Sequence, residues 1–297
     1  MGCAKVIPPL VLMVALMIFM GVTMNAAPAQ SYGICGPMDI VFVVDDTGSM
    51  SGALDNVKAG LGEIIAAVQD ASGNDYRLAL VTFKDDVTVR ATFDVNESDV
   101  ISMINSLYPS GGNGWPEASD QALNVTVNYL PADGVHVFPN PPYTTDGFDT
   151  PFRDNATRII ILITDAPPGG FDDQFTPGVD DVNAHKVALD AAAKGIRIVA
   201  VYVPTFGVEP DVEAIMKDYA DTTGGIYYLA KSDGSDVAQA ISSIVRRCGA
   251  SQPQIVGGEL LLAGGLDTGK MLVLSIIVGV AVASATFVKS RRKAKSS

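Results

Sequence analysis

The chain has 297 residues, of which 48% are hydrophobic and 18% are charged, and its formal net charge is −13. This length suffices for one large domain with a full core plus accessory segments. All 33 acidic residues but only 13 of the 20 basic ones lie between positions 30 and 269, so this region carries a net charge of −20. Such a surface repels nucleic acid and anionic lipid, which excludes them as partners of this region.

The first 29 residues are predicted to be a secretory signal peptide. An apolar stretch at 6–24 follows Lys5 and precedes the small-residue sequence NAAPAQ, the layout typical of such peptides. We expect cleavage after Ala29. A permanent N-terminal anchor is the alternative, although Pro8 and Pro9 interrupt the stretch.

A mostly parallel sheet is predicted from position 38 onward. Four β-branched runs have the continuous apolar character of strands buried on both faces: 40–44, 77–83, 158–164 and 196–203. A fifth run, 87–93, alternates apolar and polar side chains, which predicts a half-exposed antiparallel edge strand after a tight turn.

Apolar stripes with helical periodicity lie between and after these runs, at 54–68, 212–219 and 237–248. Strands that alternate with such helices predict a doubly wound α/β fold with right-handed crossovers. In this architecture a ligand site is expected beyond the carboxyl ends of the strands.

Two segments stand outside this pattern. Residues 131–157 contain many Pro, Asp and aromatic residues and are too long for a plain connection, so they form either a surface elaboration or part of a binding surface. Residues 249–269 are Gly-rich and unperiodic, which is typical of a stalk.

The C-terminal region predicts a membrane anchor. Residues 271–288 are an uncharged run of 18 residues, which as a helix would span about 27 Å, close to the thickness of a hydrocarbon core. With Lys270 the predicted transmembrane helix is 270–288, and the basic tail 289–297 is expected in the cytoplasm. The rest would face outward, as in a single-pass cell-surface protein; a buried core helix is the alternative.

Oxygen-bearing side chains follow two of the predicted strands. Asp45, Thr47 and Ser49 alternate directly after the first strand, and Asp165 follows the strand at 158–164. At this spacing the oxygens can converge on one point, and hard oxygen ligands favour Mg²⁺, Mn²⁺ or Ca²⁺ over zinc or copper. The pattern indicates a divalent-cation site.

Hydrolase chemistry is the main competing hypothesis. Asp46-Thr47-Gly48 matches the nucleophile loop of aspartic proteases, and a second Asp-Thr-Gly lies at 267–269. Such enzymes need two carboxylates at contact distance, whereas the second copy lies just before the predicted anchor and outside any β-rich lobe. Met50 occupies the centre of the Gly-x-Ser-x-Gly pattern of serine hydrolases. We therefore predict that the protein is not an enzyme.

The sequences VFVVDDTGSM and IILITDAPPGG together resemble the von Willebrand factor type A (VWA) domain with its metal-ion-dependent adhesion site. The resemblance covers roughly residues 38–245, within a predicted domain at 38–248 that follows a short N-terminal segment at 30–37. It implies a six-stranded sheet with one antiparallel edge strand. It also implies one divalent cation, Mg²⁺ foremost, held by Thr47 and Ser49, with Asp45 and Asp165 bound directly or through water. An open position would then accept an acidic side chain of a partner protein.

A third loop of the implied site is less well defined by its residues. SGGNGWPEASDQAL, at 110–123, resembles the family's second metal loop but lacks the threonine often found there. Alignment from either end offers Glu117 or Asn113 instead, and Glu117 also suits an ordinary acid in the first turn of a helix. Trp115 on this loop is either a partner-contact anchor or a packing residue.

Two cysteines remain after removal of the signal peptide. Cys35 and Cys248 lie at opposite ends of the predicted domain, and in an oxidising compartment they are most simply a disulfide. Three sequons, at Asn96, Asn124 and Asn155, are candidate glycosylation sites.

These features predict a membrane-anchored extracellular VWA domain that mediates cation-dependent protein binding or adhesion. The alternative is an accessory subunit that uses the same domain to assemble an envelope or channel complex.

Overall fold

The computed structural model describes residues 35–112, 114–130, 147–172 and 174–250. The predicted signal peptide, stalk, transmembrane helix and basic tail lie outside these ranges. Within them no helix has the length and apolar character that a membrane crossing requires.

Six strands form one sheet. They are β1 (Met38–Asp45), β2 (Tyr76–Phe83), β3 (Val87–Ala91), β4 (Thr157–Thr164), β5 (Ile196–Tyr202) and β6 (Ile226–Leu229), in the spatial order β3-β2-β1-β4-β5-β6. All neighbouring pairs are parallel except β2 with β3. The predicted mostly parallel sheet with one antiparallel edge strand is therefore confirmed.

Helices cover both faces of the sheet. They are α1 (Ser51–Ser72), α2 (Glu97–Asn105), α3 (Ser119–Asn128), α4 (Asp180–Ala193), α5 (Pro210–Thr223) and α6 (Val237–Val245). Side chains alternate along β1, so that Ile40 and Phe42 pack with α1, α2 and α6, whereas Val41 and Val43 pack with α3, α4 and α5. This double coverage explains why the central strands are apolar throughout.

A buried carboxylate ties together the amino edge of the sheet, where the parallel strands begin. Asp39 is fully buried, and Arg77 Nη2 donates to its Oδ2 at 2.6 Å while Arg153 Nε donates to its Oδ1 at 2.9 Å. Burial by itself would raise the pKa of Asp39, but the hydrogen bonds from Arg77 and Arg153 outweigh it and lower that pKa. Asp39 is therefore a structural anchor rather than a second cation site.

The described end of the long 131–157 loop is fixed at this same edge. Phe148 and Phe152 are buried, and their ring centroids lie 5.5 and 4.9 Å from that of Phe93. Phe148 N also donates to Leu130 O at 3.2 Å, which joins the described residues on either side of 131–146. Residues 131–146 lie outside the described ranges, so a role of the loop in binding stays untested.

A disulfide joins Cys35 to Cys248, with a Cα–Cα distance of 5.5 Å. Cys35 precedes β1 and Cys248 follows α6, so the bond links the two ends of the domain at the amino edge of the sheet.

The three sequons differ in their surroundings. Asn96 and Asn155 are exposed, whereas Asn124 is half-buried on α3. Asn96 is also the N-cap of α2, because its Oδ1 accepts from Ser98 N at 2.9 Å. Glycosylation at these positions stays a prediction.

Candidate metal centre

The first loop of the predicted site follows the carboxyl end of β1. Asp45 is fully buried, and its Oδ1 accepts hydrogen bonds from Thr47 N at 3.0 Å and from Thr47 Oγ1 at 2.6 Å. Thr47 Oγ1 lies 3.0 Å from Ser49 Oγ. Because Thr47 is extended and a 3₁₀ turn follows at Gly48–Met50, the three predicted side chains come together at one point.

The loop that carries Asp165 follows β4, which pairs directly with β1. Asp165 is 7% exposed and its Oδ2 accepts a hydrogen bond from Thr205 Oγ1. On the β1 side, Thr164 Oγ1 donates to Asp45 Oδ2 at 2.7 Å. The two carboxylates are therefore each oriented by a threonine hydroxyl.

The electrostatics of this pair favour a bound cation. Burial, followed by the negative charge of Asp165, raises the pKa of Asp45 to about 7. Burial likewise raises the pKa of Asp165, although hydrogen bonds with Thr205 and Ser49 act in the opposite sense. A divalent cation between the two carboxylates would remove both the repulsion and the cost of burial.

Glu117 lies at the same edge, on the loop between α2 and α3. It is 5% exposed, and its Oε2 is buried without a hydrogen-bond partner among the described residues. Burial, with the charges of Asp45, Asp85 and Asp165, raises the pKa of Glu117 to about 10. Glu117 precedes the first residue of α3, so it is not an ordinary solvated acid in a first helical turn.

The approach of this loop depends on a glycine. Gly112 has φ of +80°, and a Cβ there would lie 2.8 Å from Glu117 Oε1 and 2.9 Å from Thr47 Cγ2. Only glycine allows this contact. Asn113, the other residue proposed to complete the metal shell, lies outside the described residues.

Asp46, the acid of the protease hypothesis, is used differently. Its carboxylate is 3.1 Å from Arg90 Nη2 and 3.6 Å from Lys84 Nζ. The pair formed by Asp45 and Asp165 therefore stands apart from Asp46. The second Asp-Thr-Gly copy lies outside the described ranges.

The sequence analysis did not include Thr164, Thr205 and Phe206. Thr164 and Thr205 position the carboxylates, and the signal that could have identified them is the rule that neighbouring parallel strands end at one edge of the sheet. Phe206, next to Thr205, is 82% exposed, and Trp115 is 46% exposed. Two large apolar side chains thus lie on loops that carry site residues.

The residues present fit a divalent cation held by mixed oxygen ligands. Over the described parts of the chain, no three acidic, His or Cys side chains form a metal-binding group. A cation at this edge would therefore need the hydroxyls of Thr47 and Ser49 as well as carboxylates, and such a set suits a hard ion.

Comparison with known proteins supports the family resemblance. The model of the von Willebrand factor type A domain matches residues 40–168. A comparison with curated protein sequences gives no match.

Among solved structures, the conserved hypothetical protein BatB from Bacteroides thetaiotaomicron has 17% identity and a TM-score of 0.47, and the alignment covers 71% of this chain and 98% of the BatB chain. An aerotolerance-related membrane protein from Bacteroides fragilis has 17% identity and a TM-score of 0.44, and the alignment covers 69% of this chain and 97% of that protein's chain.

Proximal thread matrix protein 1 from the mussel byssus, solved with a zinc-occupied MIDAS motif, has 18% identity and a TM-score of 0.48. That alignment covers 75% of this chain and 48% of the mussel structure, so the chain spans about half of its length. Residues 40–168 of this chain therefore match the von Willebrand factor type A domain family, and the strand order and the two motifs agree with that match.

Proposed function

We propose that this protein binds a protein partner through a divalent cation held at the carboxyl edge of the sheet. VWA domains generally serve as interaction modules rather than enzymes. The observation that carries the proposal is the paired buried carboxylates of Asp45 and Asp165, placed beside the hydroxyls of Thr47 and Ser49. Mg²⁺ is the proposed ion, with Mn²⁺ and Ca²⁺ as alternatives.

Each residue has a defined part in this proposal. Thr47 and Ser49 would offer neutral oxygens to the cation, and Asp45 and Asp165 would balance its charge directly or through water. Glu117, whose Oε2 is buried without a hydrogen-bond partner, lies on the adjacent loop and is proposed to act on the ion through its charge rather than as a third carboxylate ligand. When bound, the cation supplies a positive charge with an open position for a carboxylate of the partner.

Orientation of these ligands comes from the chain itself. Thr164 holds Asp45 and Thr205 holds Asp165, and such supporting hydrogen bonds fix the direction of a metal ligand. Trp115 lies on the loop of Glu117 and is proposed to contact the partner beside the ion. Phe206 extends this contact surface from the loop of Thr205.

A displayed library of random peptides tests the function. Full-length protein in Mg²⁺ should select peptides that contain an acidic residue and that are released by chelator. Addition of Mg²⁺ or Mn²⁺ should restore their binding. Selected peptides that bind equally well in chelator would contradict the proposal.

The location of the domain is a separate proposal, based on the apolar segments at both ends of the chain. We propose that the signal peptide is removed after Ala29 and that 270–288 spans the membrane, with the domain outside. Protease added to intact cells should then degrade the domain and leave only the anchor. A full-length chain that survives until the cells are lysed would show that this orientation is wrong.

A further inference from the structure

A cavity adjoins the proposed metal centre. Its volume is about 310 Å³, and it lies between the first metal loop, the turn after β2 and the segment after α2. The residues that decide its chemistry are Asp46, Lys84, Arg90, Leu107, Tyr108 and Ser110.

The wall of this cavity is continuous with the metal loops. Asp46 stands between the predicted ligands Asp45 and Thr47, and its carbonyl oxygen accepts from Ser110 N at 3.0 Å. Gly48 N donates to Gly111 O, also at 3.0 Å. A partner that places one side chain at the cation can therefore place a neighbouring side chain in the cavity.

The side chains that line the cavity include more basic residues than acidic ones. Lys84 and Arg90 both pair with Asp46, so two positive charges face one negative charge. Asp85 and Asp86 follow Lys84 in the chain and do not line the cavity, but the charge of Asp86 interacts with both Asp46 and Lys84. The positive excess therefore holds for the lining residues alone.

Arg90 has unused hydrogen-bonding capacity, whereas Lys84 does not. Lys84 Nζ donates to Asp46 O at 2.8 Å and to Ser110 O. Arg90 Nε donates to Thr82 Oγ1 at 3.0 Å and Nη2 donates to Asp46 Oδ2 at 3.1 Å. Its Nη1 makes no hydrogen bond within the described parts of the chain, and the side chain is 40% exposed. Three of the five N–H donors of a guanidinium thus remain for a ligand.

We infer that this cavity binds a second acidic side chain of the partner, next to the one that reaches the cation. The inference rests on the proposed function. The free donors of Arg90 match a carboxylate, and an apolar occupant would desolvate the guanidinium without replacing its hydrogen bonds. Leu107 and Tyr108, which is 80% exposed, would contact the aliphatic part of that side chain.

The sequences of the chelator-sensitive peptides test this inference directly. We expect two acidic residues at a fixed spacing, one for the cation and one for the cavity. Peptides that share only a single acidic position would overturn the inference while leaving the proposed function intact. A library without any chelator-sensitive peptide would overturn both.

A double-mutant cycle then assigns the second acid to Arg90. Arg90→Gln should lower the affinity for a two-acid peptide about 10-fold or more, as expected for a charge-assisted hydrogen bond. Replacing the second acid by its amide should have a similar effect on the wild type but little further effect on Arg90→Gln. Additive losses from the two changes would exclude contact between the groups.

The matched control is Arg246→Gln. Arg246 also pairs with one aspartate, Asp70, at 3.1 Å, and its side chain is 32% exposed. Its replacement removes the same charge away from the cavity and should leave peptide affinity unchanged. Because the peptide change does not alter the protein, the comparison on the wild type remains decisive even if Arg90→Gln folds poorly. A wild type that binds the acid and amide peptides equally would overturn the inference.

Discussion

Titration of the full-length protein with Mg²⁺ or Mn²⁺ is expected to show one site, which Asp45→Ala and Asp165→Ala each weaken by about 10- to 100-fold or more. Each substitution removes one carboxylate from a pair that is buried at adjacent strand ends. The cation should also stabilise the fold, by about 2.7 kcal/mol when its free concentration is 100 times the Kd. Calorimetric titration and thermal unfolding with and without chelator measure the two effects.

Asp70→Ala is the control for these variants. It removes one carboxylate from an exposed ion pair with Arg246, and cation affinity should stay that of the wild type. Wild-type cation affinity in Asp45→Ala as well would rule out the proposed metal centre, although the match of residues 40–168 to the VWA family would still hold.

Loss of the disulfide should have the largest effect on stability. The bond closes a sequence separation of 213 residues, and for a loop of this length the chain-entropy model gives a stabilisation of about 5 kcal/mol. Cys35→Ser or Cys248→Ser should therefore lower the Tm by about 10 to 20 °C for a domain of this size. Cation affinity should change little, because the bond lies at the amino edge, opposite the metal centre.

The double variant Cys35→Ser/Cys248→Ser controls for the thiol that a single substitution leaves free. It should unfold at about the same temperature as the single variants. Peptide mapping without reductant provides the direct check, and recovery of both cysteines as free thiols would refute the link in the protein.

The strands that could be predicted from the sequence are those whose side chains are buried on both faces of the sheet. Runs such as 158–164 lie between two helical layers, so both faces are apolar and the pattern is unambiguous. By contrast β6 is only four residues long and mostly half-buried, which leaves no periodic signal. The helix α4 gives no large apolar stripe either, because its inward face is mainly alanine, at Ala184, Ala188 and Ala191.

The candidate metal centre likewise contains residues that could be predicted from the sequence and one residue that could not. Asp45, Thr47, Ser49 and Asp165 follow strands that were predicted, and parallel strands end together, so their convergence could be inferred from the chain alone. Glu117 could not be separated from Asn113, because its place depends on a loop whose path is set by the positive φ of Gly112.

The hydrogen bond between Leu130 and Phe148 also provides a site at which a reporter can be inserted into the protein. Leu130 and Phe148, on either side of the stretch that lies outside the described ranges, are joined by one backbone hydrogen bond. Met38 and Asp45, at the two ends of the eight-residue strand β1, are seven residue steps apart, so about 23 Å separates the two edges of the sheet. Lengthening the connection between two ends that are already held together costs only about 0.6 kcal/mol per doubling of its length, so a fluorescent or affinity module inserted between Leu130 and Phe148 should be tolerated. Such a reporter would enter the chain at the amino edge of the sheet and follow the protein in living cells, whereas a partner is expected to dock at the carboxyl edge.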